Sequence, residues 1–262
     1  MARSKGVVKA ALITLGVLVA MVAVLPLFIP YPPDAIDLAG RRAAPSLAHW
    51  LGTDDLGRDL FSRALHGGRV SLAIGVLAAA VATMLGGALG ATSGYFGGAA
   101  DSLLMRMTDT MLSVPRLLLL MIVAAILQPS VLALILLIGA VGWMETARVT
   151  RTAVRSLATQ EFVLAARAAG ASNARILTRH LLANATAPLR ASAALAVARA
   201  ILLESTLSFF GVGVQPPAAS WGSMLYQAQA TMTTEPWLAV APGAFILASV
   251  MAVTVLTDAE RY

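Results

Sequence analysis

The chain has 262 residues, of which 58% are hydrophobic and only 12% charged, with a mean hydropathy of +0.80. Soluble domains carry about 25% charged residues, so the composition excludes an ordinary water-soluble fold and indicates a membrane protein. A net charge of +6 would suggest nucleic acid in a soluble chain, but the arginines gather in one loop and at span ends, where they read as topology signals.

The first element is an apolar run to Ile29 preceded by Arg3, Lys5 and Lys9. It is longer than a secretory signal's apolar region and lacks a small-residue cleavage site, so it reads as a retained span of about 20 residues entering from the cytoplasm. Pro30, Pro32 and Pro33 open a polar segment to Arg69. Within it Leu56, Leu60, Phe61, Ala64 and Leu65 predict a short amphipathic helix outside the membrane, stopped by Gly67 and Gly68. Asp54, Asp55 and Asp59 lack the spacing of a calcium loop and read as caps and solvated acids. Residues 1–69 are thus an N-terminal span plus an extracytoplasmic loop, and 70–262 the main membrane domain.

A charge-free second span follows over 70–100, where Gly86, Gly90 and Gly94 stand four apart, a spacing that permits close helix packing. The third span, about 103–127, carries Arg106 and Asp109 near its cytoplasmic end and Pro115 as a kink. The fourth starts at Val131 and runs as one helix into a basic loop. Its charge-free part is short, so part of 145–151 is expected at the interface. The fifth span, with Pro188 in its first turn, reaches Leu207. "FFGVGVQPPAASWG" breaks the helix on the outer side, with Tyr226 and Trp237 as aromatic anchors, and a sixth span over 238–256 returns the tail "TDAERY" to the cytoplasm.

Between the fourth and fifth spans, residues 148–190 carry Arg148, Arg151, Arg155, Arg167, Arg175, Arg179 and Arg190 against the single acid Glu161. Phe162, Ala165, Ala166 and Ala169 form an apolar stripe on a short helix, Gly170 ends it, and Ser172 can cap a second helix. A loop that only joined two spans could be far shorter. The plain alternative is an amphipathic helix lying on the membrane surface.

The run "EFVLAARAAGASNARILTRHLLANATAPL" resembles the cytoplasmic coupling loop of binding-protein-dependent ABC importer permeases. Leu164, Ala165 and Ala166 stand at the motif's Glu-Ala-Ala, Gly170 at its glycine, and His180, Leu182 and Ala183 at its closing Ile-x-Leu-Pro. Leu164, His180 and Ala183 depart from the pattern. Two further stretches, "LGTDDLGRDLFSRALHGGRVSL" and "ESTLSFFGVGVQPPAASWGSML", are similar to the peptide and nickel branch. The resemblance implies an all-α, six-span permease of the type I importer fold in the bacterial inner membrane, with both termini cytoplasmic. It implies as partners a second, similar permease, two ABC ATPases and an extracytoplasmic binding protein. Peptides are the first expectation for the substrate and nickel chelates the second. Glu161, Phe162, Leu164, Ala165, Ala166, Ala169 and Gly170 would then contact an ATPase.

The chain itself has only Lys5 and Lys9, neither after a glycine-rich turn, so it lacks a phosphate-binding loop. No cofactor is expected in this chain, and ATP and Mg would be held by the ATPases. An intramembrane hydrolase is disfavoured, because His49, His66 and His180 lie outside the predicted spans and no Gly-x-Ser-x-Gly or His-Glu-x-x-His arrangement occurs. With no cysteine and no histidine cluster, no metal site is expected either. A passive scaffold is the remaining rival. Arg199 and Glu204 in the fifth span read either as lining of a substrate path or as a structural pair or snorkelling side chains.

Overall fold

The computed structural model describes residues 2–259 and side chains from 6 to 258. The Arg3 and Lys5 side chains, and Glu260, Arg261 and Tyr262 of the tail, lie outside the described residues. The chain is built from α1 (Ala2–Val24), α2 (Leu60–Phe96), α3 (Gly98–Ser113), α4 (Arg116–Leu127), α5 (Val131–Leu157), α6 (Glu161–Ala168), α7 (Asn173–Arg175), α8 (Thr186–Phe209), α9 (Trp221–Ala228) and α10 (Trp237–Ala259). A π-helical stretch, Ile176–Leu182, continues α7.

Five of these helices, α1, α2, α5, α8 and α10, are long and apolar enough to cross a membrane. α3 and α4 meet at 78° across a short break, because Pro115 supplies no amide and holds Val114 extended, at φ −83° and ψ 129°. The predicted kink is therefore a full break in the helix. The bent pair still makes one crossing. α2 and α5 pack in parallel, with Gly86 against Trp143 and Thr146 and Gly94 against Arg151, so the chain between them must return to the side from which α2 started. Six crossings result, and the molecule is a multi-pass membrane protein.

α2 is the central helix. Its glycine stripe lets α5 approach until a Cβ on Gly94 would stand 2.6 Å from the Arg151 carbonyl oxygen. That contact is backbone on backbone and leaves no room for a side chain. α8 packs antiparallel to α2, with Gly75 against Ile201. The core between them holds Ile74, Ala78, Leu120, Leu134, Ile138 and Leu207.

The separate amphipathic helix expected before Gly67 does not exist. Asp59 caps α2 by accepting from the Ser62 amide at 2.7 Å, and α2 then runs unbroken through Gly67 and Gly68. A mid-helix glycine costs only about 1 kcal/mol, and here both serve as approach points. Gly67 faces the Ser220 backbone, and a Cβ on Gly68 would stand 2.7 Å from the Trp221 ring. The boundary placed between 69 and 70 accordingly falls inside one helix.

α9 has no counterpart in the sequence reading. After α8 the chain doubles back, with the Val214 amide on Ser208 Oγ (3.0 Å) and the Trp221 amide on Ser71 Oγ (3.1 Å). Trp221 is fully buried, stacks on Phe245 and donates its indole N–H to the Ala64 carbonyl.

Candidate functional site

At the end of the bundle where α2 and α5 finish, the basic loop folds onto them through a small apolar cluster. Val163, on the inner face of α6, is fully buried among Ala91 of α2, Val154 of α5, and Ile176 and Leu181 of the π-helical stretch. Tyr95 adds a polar tie: its hydroxyl donates to Asn173 Oδ1 at 2.7 Å, and the Arg167 guanidinium lies over its ring. The opposite side of α6 is bare. Phe162 is 40% and Leu164 51% exposed, and Glu161, Ala165 and Ala169 are exposed too. Ala166 is half-buried, so it sits at the edge of the bare face rather than within it.

The stop after α6 is a left-handed glycine. Gly170 has φ +80°, its amide donates to the Arg167 carbonyl and the Ala171 amide to the Ala166 carbonyl. This pair of bonds satisfies the last carbonyls of the helix. No atom stands within 4 Å of a Cβ placed on Gly170, so conformation and not space selects glycine there. Ser172 then caps α7 by accepting from the Arg175 amide.

Three loop arginines find acids, with Arg155 reaching Asp101 at 3.8 Å. Arg151 makes a bidentate pair with Asp101 of α3, at 2.5 and 2.6 Å, and Arg148 pairs with Asp109. These bonds tie the start of the third crossing to α5. Arg155, Arg167, Arg175, Arg179 and Arg190 remain exposed around α6.

Deeper in the bundle, α4, α5 and α8 bring together Arg116, Glu145 and Arg199. Arg116 donates to Glu145 Oε1 at 2.8 Å, and Arg199 pairs with the other carboxylate oxygen. At 1.5 Å per residue, Arg199 lies about 15 Å from the far end of α8 and Arg116 about 17 Å from the far end of α4, near the middle of a hydrocarbon layer about 30 Å thick. Glu145 shares that depth, so the part of 145–151 expected at the interface does not include it. The predicted Arg199 lies beside a cavity of about 520 Å³ along α8, which also touches Glu145, Arg190 and Ser192.

Glu204 is elsewhere. It is fully buried, accepting from Ser71 at 2.9 Å and Ser208 at 2.8 Å, with Ser205 at 3.4 Å. The reading that paired Glu204 with Arg199 in one polar lining is corrected on this point, since α8 turns the two to different sides and the serines enclose the carboxylate. Val163, Tyr95 and Arg116 were not singled out from the sequence. Only Arg116 carried a signal, as a charge beside the proline break of an apolar span.

Residues 83–259 match the family described as binding-protein-dependent transport system inner membrane component. The chain is 35% identical to the oligopeptide transport system permease protein OppC of Bacillus subtilis, over 99% of this chain and 85% of that protein. It is 37% identical to the OppC of Mycobacterium bovis, over 96% of this chain and 87% of that protein. It is also 38% identical to the Escherichia coli protein named "Probable D,D-dipeptide transport system permease protein DdpC", over 95% and 85%. Six crossings, a basic loop folded onto the bundle end and these similarities lead to one conclusion: the chain belongs to the family of inner membrane components of binding-protein-dependent transport systems.

Proposed function

We propose that the chain is the permease subunit of an ATP-driven peptide importer, and that α6 is where an ATPase docks. The observation that carries this reading is the two-sided construction of α6. Val163 buries one side in the cluster with Ile176, Leu181, Ala91 and Val154, while Phe162, Leu164, Ala165 and Ala169 leave an apolar edge bare amid exposed arginines. An apolar helix face presented outside the lipid layer is suited to a groove on a partner.

In this reading the positive-inside bias favours a cytoplasmic α6 end, and an even number of crossings would bring both termini to that same side. Because the chain has no phosphate-binding loop, ATP binding and hydrolysis fall to separate subunits. As the family's name implies, a binding protein delivers substrate from the opposite side. A second permease and two ATPases complete the assembly in this reading. The peptide substrate is carried over from the names of the relatives.

Motion would pass through rigid parts. A displacement of α6 reaches Ala91 and Val154 through the cluster that Val163 forms with Ile176 and Leu181, α2 and α5 move together because their backbones touch, and α3 follows α5 through Asp101 and Arg151. Alternating access would require such a packed unit to have a second arrangement.

The test is reconstitution of the chain with its partner permease, ATPases and binding protein in proteoliposomes. Peptide should stimulate ATP hydrolysis and accumulate in the lumen. Ala165→Asp, a charge on the bare face, should abolish most of that stimulation while the protein stays in the membrane. A passive scaffold would give no stimulation in the first place.

A further inference from the structure

The cavity along α8 carries more positive charge than its walls neutralise. Arg190 and Arg199 line it, Glu145 is the only acid among its lining residues, and Arg116 draws on that same carboxylate from behind. The other acids nearby are committed. Asp101 and Asp109 are held by Arg151 and Arg148, and Glu204 is enclosed by serines. Two guanidiniums, Arg116 and Arg199, therefore share one carboxylate near mid-span, where an uncompensated charge is costly, and Arg190 of the lining adds a third positive charge.

Arg199 is not shut away. Its side chain is 46% exposed, and after one nitrogen is given to Glu145 it keeps N–H donors on the cavity side. A guanidinium fork in this position matches a carboxylate in two-pronged fashion. At about 520 Å³ the cavity lies within the range that holds small ligands.

We infer that this cavity is a carboxylate-binding site, and that the carboxylate it takes is the C-terminal one of the translocated peptide. The inference rests on the peptide-importer reading above. A terminal carboxylate is common to free peptides of any sequence, so a single arginine cluster can hold them without reading side chains. Arg190 at the cavity's α6 end extends the same positive potential toward the exit, whereas a peptide's ammonium end is repelled.

The alternative source of the same chemistry is an acidic side chain of the partner permease, and one experiment separates the two. The complete transporter is reconstituted, and uptake is read by mass spectrometry for a defined mixture of di- to hexapeptides as free acids and as C-terminal amides. The binding protein's own preference is the same in every variant, so it cancels when acid-to-amide ratios are compared. In Arg199→Gln the ratio should fall at least about tenfold, as expected for losing a hydrogen bond to a charged group, and Arg199→Lys should recover part of it. An unchanged ratio with uptake intact overturns the inference. If Arg199→Gln separates the two permeases, and Arg199→Lys restores the pair with the wild-type ratio, the carboxylate belongs to the partner and the inference also falls. A wild-type complex that takes up neither mixture refutes the peptide reading itself, and this inference with it.

Discussion

Arg199 and Glu204 stand little more than one turn apart on α8, yet their surroundings are of opposite kinds. Glu204 is sealed in, and its acceptors are filled by hydroxyls from α2 and from α8 itself. Those same hydroxyls accept amides from the doubled-back segment, Ser71 from Trp221 and Ser208 from Val214, so the carboxylate orients the donors on which the segment hangs. Arg199 shares a single carboxylate with Arg116 and opens onto a cavity. A satisfied buried network specifies one packing, whereas an open and unbalanced one is available to a ligand. Charge inside a span is thus not by itself evidence of function. What decides is whether the structure leaves it a partner to find.

The largest expected effect is at the sealed cluster. Glu204→Leu leaves two buried hydroxyls without an acceptor, at about 1–3 kcal/mol each, and frees the segment before α9. The yield of folded, monodisperse protein after extraction from membranes should drop severely, with Glu204→Gln much milder because it keeps a carbonyl oxygen in place. Next comes the open cluster. Arg199→Leu leaves Arg116 and Glu145 as a balanced pair, so the protein should assemble near the parental level while peptide uptake falls. Loss of assembly equal to that of Glu204→Leu would erase the contrast.

A smaller, conformational effect is expected at Gly170. With φ +80°, a β-branched side chain there costs about 1–3 kcal/mol without any clash. Gly170→Val should keep the protein in the membrane and lower substrate-stimulated ATP hydrolysis. Ser172→Ala should do least, since a cap is worth about 1 kcal/mol or less at an exposed end and the bond to the Arg175 amide is long, at 3.4 Å. Thermal unfolding of the detergent-solubilised protein should barely shift. Separately, cysteines placed at Ser46 and Ser172, both exposed in a chain without cysteine, should label from opposite sides of the membrane.

Much of the fold was legible because it rests on local chemistry. Apolar length gave the spans, Pro115 a bend, Ser172 the cap of α7 and Gly170 the end of α6. The glycines at 86, 90 and 94 announced a close approach without saying to which helix. What stayed hidden depends on partners distant in sequence. Gly67 and Gly68 look like a helix stop until Ser220 and Trp221 arrive against them. Which part of 145–151 is interfacial stays open until Arg116 and Arg199 meet Glu145 at mid-span. Val163 looks like any apolar residue beside the stripe until Ile176 and Leu181 close over it. Of the stripe's residues, Phe162, Ala165 and Ala169 are exposed and Ala166 is turned partly inward.

The central claim is that the bare face of α6 meets an ATPase. A photo-crosslinking phenylalanine analogue at Phe162, in the complex purified with its partners, tests it most directly, with the same analogue at Leu47, 98% exposed on the far side, as control. Position 162 should give an adduct with the ATPase subunit, and position 47 none. An ATPase-containing complex in which position 162 crosslinks only to lipid, or to nothing, would contradict the account.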